Sequence, residues 1–239
     1  MSKITPPLPP SVEQRLSAWV SLQERFARTP VPRIRPTITL SRQYGCEGFP
    51  LAHRLQELFQ AATDEPWNLY DKSLIDRVSR EEHIPIQLLR NLGDLSRRLE
   101  VLGLDGVGHV THDQAFSKVA ELLVQIAGVG NAVIVGRGGA LLCKGMRNCF
   151  HFRLVAPFET RVASLVRRLE LPLEEATRRV KVESKARDEF IKSCLKADVA
   201  DPLHYDATFN GGRHDLEDIA QAILAYVIHA WEDPTTFQR

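Results

Sequence analysis

Alternation limits the fold of this chain more than any other feature. Five short apolar runs, at residues 37–41, 67–70, 131–136, 150–155 and 205–210, are separated by stretches whose apolar residues recur at helical spacing. Runs of this length suit strands and are too short for a buried helix. After the first run, Leu51, Leu55, Leu58, Phe59 and Ala62 fall on one helical stripe, with Pro50 tolerated in the first turn. Residues 73–102 and 113–127 hold at least two further helices, with Leu92, Leu95, Leu99 and Leu102 on one stripe. Phe158, Val162, Leu165, Val166 and Leu169 mark another, and Leu216, Ile219, Ile223 and Val227 the last. Strands that alternate with such helices need crossover connections, so an α/β protein is expected, its parallel sheet covered on both faces. An apolar share of 44% supplies the core.

The remaining composition excludes more than it assigns. Lys and Arg number 31 against 30 Asp and Glu, so no global field draws the chain to nucleic acid or to an anionic membrane. Any anion site has to be local. Cys46, Cys143, Cys149 and Cys194 show no paired or metal-like spacing, which fits free thiols in a reducing compartment. The first residues form no apolar leader, and no stretch approaches the ~20 apolar residues that cross a bilayer. A cytoplasmic location follows as the expectation. Residues 1–33 read as an extension carrying one helix, with Val12, Leu16, Trp19, Leu22 and Phe26 on its stripe before Pro30 and Pro32 end it. That helix is expected to dock on the core or on a partner, a second copy of this chain included. The main domain would then span 34–231, with a polar tail at 232–239.

The loop after the first run holds the strongest chemical signal. Thr37 to Ser41 leads into Arg42-Gln43-Tyr44-Gly45-Cys46-Glu47-Gly48-Phe49, and a helix follows. A strand, a glycine-bearing loop and a helix start are the setting in which backbone amides and a positive helix end meet a phosphate. The common pattern G-x-x-x-x-G-K-[ST] is absent: Gly48 stands at the lysine and Phe49 at the hydroxyl that would reach a metal. On pattern alone the signal is weak, and an ordinary strand-to-helix turn with two glycines is the stronger reading.

Four segments in register resemble the cytidylate kinase-like family. The run Ile38-Thr39-Leu40-Ser41-Arg42-Gln43-Tyr44-Gly45-Cys46-Glu47-Gly48 resembles its first loop. Leu69-Tyr70-Asp71-Lys72-Ser73-Leu74-Ile75, Val133-Ile134-Val135-Gly136-Arg137-Gly138 and Asp201-Pro202-Leu203-His204-Tyr205-Asp206 with Asn210 resemble three more of its motifs. The likeness covers about residues 37–228. It implies a P-loop, nucleoside monophosphate kinase-like fold with strand order 2-3-1-4-5, a helical acceptor-side insertion at 71–127 and a lid at 171–197. It also implies ATP with Mg²⁺ and a nucleoside monophosphate or other small acceptor, cytidylate first.

Phosphoryl transfer asks the protein for positive charge around the moving group, and the arginine fork suits phosphate. Arg137 lies past the end of the third strand, and the segment from Arg161 to Lys196 carries ten Lys and Arg against six Asp and Glu. Arg137, Arg178 and Arg187 are thus candidates for stabilising the transferred group. Arg42, Tyr44, Gly45, Cys46, Glu47 and Gly48 are candidates for holding the nucleoside triphosphate, and Asp71, Arg137, Arg161, Arg179 and Lys185 for the acceptor. No protein metal ligand stands out. Glu47 brings into the loop a carboxylate that would repel phosphate unless it pairs, for instance with Arg42. Cys46 beside a helix N-terminus is a candidate for a lowered pKa. Two other classes compete. A nucleotide-binding regulator without turnover would explain Glu47 and Phe49. A dinucleotide enzyme would use Gly136-Arg137-Gly138-Gly139, but Leu141 occupies the last glycine position of that fingerprint.

A lid has to open for exchange. Amides across 171–197 should therefore exchange hydrogen faster than those of the sheet and slow when nucleotide is added; slow exchange unaltered by nucleotide would remove the lid reading.

Overall fold

The computed structural model describes residues 35–71 and 112–232. The proposed N-terminal helix with its dimer contact, the stretch 72–111 of the acceptor-side insertion and the tail beyond Glu232 lie outside the described residues. Five strands form one parallel sheet: β1 (Thr37–Arg42), β2 (Asn68–Tyr70), β3 (Ala132–Val135), β4 (Cys149–Val155) and β5 (Ala207–Asn210). Their order is β2-β3-β1-β4-β5, the expected one. β1 is central, with Ile38 opposite Val133 on one side and Phe150 on the other.

Alternation along the strands sorts side chains between two cores. Ile38, Leu40, Val133, Val135, Phe150, Phe152 and Leu154 face helix α1 (Gly48–Thr63) and the last helix, Leu216–Glu232. Ala132, Ile134 and Cys149 face α2 (His112–Val129) and the short α3 (Gly139–Leu142). On that second face β1 presents Thr37 and Thr39, and Thr37 donates from Oγ1 to Ala127 O at 3.0 Å. A sheet buried on both faces therefore keeps one hydrogen-bonding face.

After β4, Pro157 opens α4 (Phe158–Leu169), Glu170 closes it in the left-handed region, and Pro172 opens α5 (Leu173–Leu195). The two helices pack through Val162, Leu165, Ala176 and Val180, a small core of their own against which Tyr44 of the loop rests. The stretch 171–197 is thus one helix of 23 residues with Lys196 as its left-handed cap. The final strand begins at Ala207 rather than 205, because Asp201 accepts from Leu203 N and winds Pro202–His204 into a 3₁₀ turn. α6 (Leu216–Glu232) completes the layer opposite. No helix among the described residues is long and apolar enough to cross a membrane.

His151 gives this sheet a pH dependence. Its Nδ1 lies 2.7 Å from Thr39 Oγ1, and burial pushes its pKa below the ordinary 6.5, with Asp206 acting in the opposite direction. The unfolded chain therefore binds that proton first as pH falls. Stability from neutral His151 is present above about 6.5 and is lost as pH falls through the folded-state value. The melting temperature should drop between about pH 7 and pH 5.5, and His151→Gln, which still offers Thr39 a partner, should flatten the drop. One proton accounts for at most about 1.4 kcal/mol per pH unit. Identical profiles for the two proteins would assign the dependence to other groups.

Candidate functional site

The carboxyl ends of β1, β3 and β4 open into a cavity of about 460 Å³ between the sheet and α5. Ligands of open parallel sheets bind at this end, near the strand where the order reverses. Five arginines line it: Arg42 from the end of β1, Arg137 after β3, Arg153 in β4, Arg161 in α4 and Arg187 in α5. Glu183 and Asp188 are the carboxylates that line it with them, and neither forms an ion pair among the described residues.

Arg42 crosses the site. Its stem lies against Gly48 at the start of α1, and its head lies against Gly136, where a Cβ would stand 2.0 Å from Arg42 Nη1. Gly136 is thus required by close approach as well as by its φ of +78°. Burial, followed by repulsion from Arg187 and Arg137, pushes the Arg42 guanidinium from 12.5 down to about 9, and Asp71 just beyond β2 offsets part of that cost. It stays charged at neutral pH and makes no hydrogen bond or ion pair among the described residues. Arg187 is depressed for the same leading reason, burial. Its guanidinium lies 4.8 Å from the centre of the Tyr44 ring, a cation–π contact in place of a carboxylate. Arg137 has a φ of +56° and is the one non-glycine residue with positive φ that lines the cavity. Such backbone costs of order 1–3 kcal/mol and persists where the surroundings demand it.

The loop from Gln43 to Glu47 is fastened to α4 instead of curling freely around an anion. Gly45, at φ +93°, would bring a Cβ within 2.8 Å of Arg161 Cβ and O. Arg161 donates from Nη1 to Tyr44 O at 3.2 Å and to Ser184 Oγ at 3.1 Å, and from Nε to Ala156 O at 3.1 Å. These donors clamp the loop to α5, and Arg161 lines the cavity as well. The amides of Cys46 and Gly48 are satisfied by the carbonyls of Gln43 and Cys46.

Two loop expectations are corrected. Glu47 turns away from the cavity, accepts from Ser164 Oγ at 3.1 Å and pairs with Arg167 rather than Arg42. Its charge is therefore neutralised on α4. Cys46 packs against the α1 core, and burial pushes its thiol up to about 11, overriding nearby arginines. Among the candidate cations of α5, the structure brings Arg187 to the cavity. Arg178 and Arg179 both hold Glu175, and Lys185 faces Glu189 at 3.7 Å; none of the three lines the cavity.

Arg153 lies in none of the motifs, and Tyr205, within the fourth, was not among the candidate residues; both line the cavity. Arg153 is 7% exposed, donates from Nη1 to Tyr205 Oη at 3.1 Å and lies over the Tyr205 ring. Tyr205 Oη in turn donates to Val199 O at 2.9 Å, with Ser41 Oγ 3.2 Å away. The signal was strand parity. Phe150, Phe152 and Leu154 take one face, which leaves His151 and Arg153 on the other.

The arginines fit the phosphates of a nucleoside triphosphate. For Mg²⁺ the fit is poor: no group of three or more His, Cys, Asp or Glu among the described residues could hold a metal, and Phe49 packs into the core where a hydroxyl would be needed.

The family model described as cytidylate kinase-like matches residues 37–213. An uncharacterised protein from Eubacterium ventriosum superposes with a TM-score of 0.61 at 17% identity, over 81% of this chain and 98% of that one. The TT1252 protein of Thermus thermophilus matches the same share of each chain at 19% identity, with a TM-score of 0.40. Among curated proteins none matches.

The Glu47 tie has a measurable worth. Arg167 is largely exposed, so the ion pair adds little, while the buried Ser164 loses its acceptor when Glu47 goes. Glu47→Ala should destabilise the protein by about 1 kcal/mol, a shift of about 2–4 °C in Tm. A cycle with Ser164→Ala should show coupling; strict additivity would mean that the two side chains do not hold each other.

Proposed function

Because the chain belongs to the cytidylate kinase-like family and carries a nucleotide kinase-like fold, we propose that it transfers the terminal phosphoryl group of ATP to a nucleoside monophosphate, with cytidylate as the leading acceptor. The observation that carries this reading is the convergence of Arg42, Arg137 and Arg187, from three separate elements, on one cavity. Desolvated guanidinium groups that repel one another gain most from a multiply charged anion. In the proposed step an acceptor phosphate oxygen bonds to the terminal phosphorus of ATP as its bond to the bridging oxygen breaks, and ADP leaves. Arg42 and Arg137 would neutralise the transferred group, and Arg187 would join as it leaves the Tyr44 ring. Clamping by Arg161 keeps loop and lid in register. No step is drawn through Mg²⁺, for which the described residues offer no cage. A cytoplasmic setting suits such a reaction, since that is where nucleoside phosphates are abundant.

A second reading, a nucleotide-binding regulator without turnover, draws on a specific observation. The amides of Cys46 and Gly48 are taken up inside the loop, so fewer remain to cradle a triphosphate.

A coupled phosphotransfer screen over the nucleoside monophosphates, run beside thermal shift with ATP, separates the two. Turnover supports the kinase, and binding without turnover supports the regulator. Arg137→Ala should lower kcat/KM by about tenfold or more, the loss of one charge-assisted contact of roughly 1.5–3 kcal/mol, while Tm changes little. Unchanged kinetics with a large fall in Tm would make Arg137 a residue of the turn alone.

A further inference from the structure

We infer that Arg153 forms a second anion subsite at the floor of the cavity, so that the acceptor carries two phosphate groups rather than one. This deepens the kinase reading and rests on it. Arg153 sits inside a sheet strand, opposite Ser41 of β1, and is 7% exposed. A guanidinium so placed is costly unless it is paired. The partners it has are neutral: the Tyr205 hydroxyl and the Tyr205 ring. No described carboxylate forms an ion pair with it; Asp188, which acts on it electrostatically, is exposed on α5. One donor of its fork is fixed by Tyr205, itself held by Val199 O, and the residue lines the cavity. The fork is therefore oriented before any ligand arrives.

This floor and the rim flank β1 on different sides. Arg153 lies in β4, opposite Ser41, whereas Arg137 follows β3 on the other side of β1, and Arg42 ends β1 itself. Arg161, the fifth arginine, commits its Nε and Nη1 to Ala156, Tyr44 and Ser184. A monophosphate seated at the rim would leave Arg153 desolvated and unmatched. A ligand with phosphates at both ends would meet both sets, and a cavity of about 460 Å³ has room for a small nucleotide.

The test uses the whole protein, calorimetric titration, and two probes, cytidine 5′-monophosphate and cytidine 3′,5′-bisphosphate. Wild type should bind the bisphosphate about tenfold more tightly, the increment of one charge-assisted bond of roughly 1.4 kcal/mol. In Arg153→Met the ratio of the two dissociation constants should fall to near one. In Arg42→Met, which weakens the rim, the ratio should remain about ten. If Arg153→Met does not fold, Tyr205→Phe serves, since it frees the fork while keeping the ring; the ratio should then fall part of the way. Equal binding of the two probes by wild type, or a ratio that survives Arg153→Met, overturns the second subsite and leaves the monophosphate kinase intact. Failure of both probes and of ATP to bind overturns the parent reading as well.

Discussion

Guanidinium groups resist being gathered away from water: each loses hydration, and each repels the next. This protein nevertheless collects several at one end of its sheet, and much of the local architecture follows from that demand. Gly136 lacks a side chain so that Arg42 can lie on the turn after β3. Arg137 accepts a left-handed backbone in the same turn. Arg187 is shielded by the Tyr44 ring and Arg153 by the Tyr205 ring, contacts that soften the charge without cancelling it. Glu47 is engaged on α4 and Glu175 on the outer side of α5, while Glu183 and Asp188 line the cavity without an ion pair among the described residues. Arg42, Arg153 and Arg187 thus line the cavity without an ion pair to any described carboxylate, which separates it from an internal salt-bridge network.

The parallel sheet makes this arrangement affordable. Its face toward α1 and α6 is wholly apolar, with Phe59, Trp67 and Phe152 among the largest buried side chains. Stability is concentrated there, so the opposite face can carry Thr37, Thr39, His151 and Arg153 without depriving the fold of its core. The hairpin of α4 and α5 has a separate small core and meets the loop through Tyr44 and the Arg161 clamp.

Most of the fold was legible because alternating strand-length and helix-length patterns admit few topologies, and four motifs in register selected among them. The cavity was less so. Seven-residue spacing put Arg178 and Lys185 on one face of α5, correctly, but did not say which face was inward. Ala176, Val180 and Ile191 mark the buried stripe, and Arg187 lies on it. Arg153 was hidden inside an apolar run, where a strand signal masks a single charge. The partner of Glu47 lies 120 residues away, a long-range pairing that local spacing does not encode.

Gly138 matters for what it lets through. A Cβ there would stand 2.4 Å from Leu195 Cδ1, so the last turn of α5 rests directly on the turn that carries Arg137. A helix of 23 residues is about 34 Å long, and this one rests on that turn at one end and moves with α4, on which Ala176 and Val180 pack, at the end that carries the exposed Leu173. Rocked by about 10° on that seat, its far tip would travel about 6 Å, while Arg187, two turns from the seat, would move about 2 Å. The hairpin is in effect a lever with a short inner arm. A wide sweep at the mouth becomes a small adjustment at the charges, and the fulcrum is a residue with no side chain.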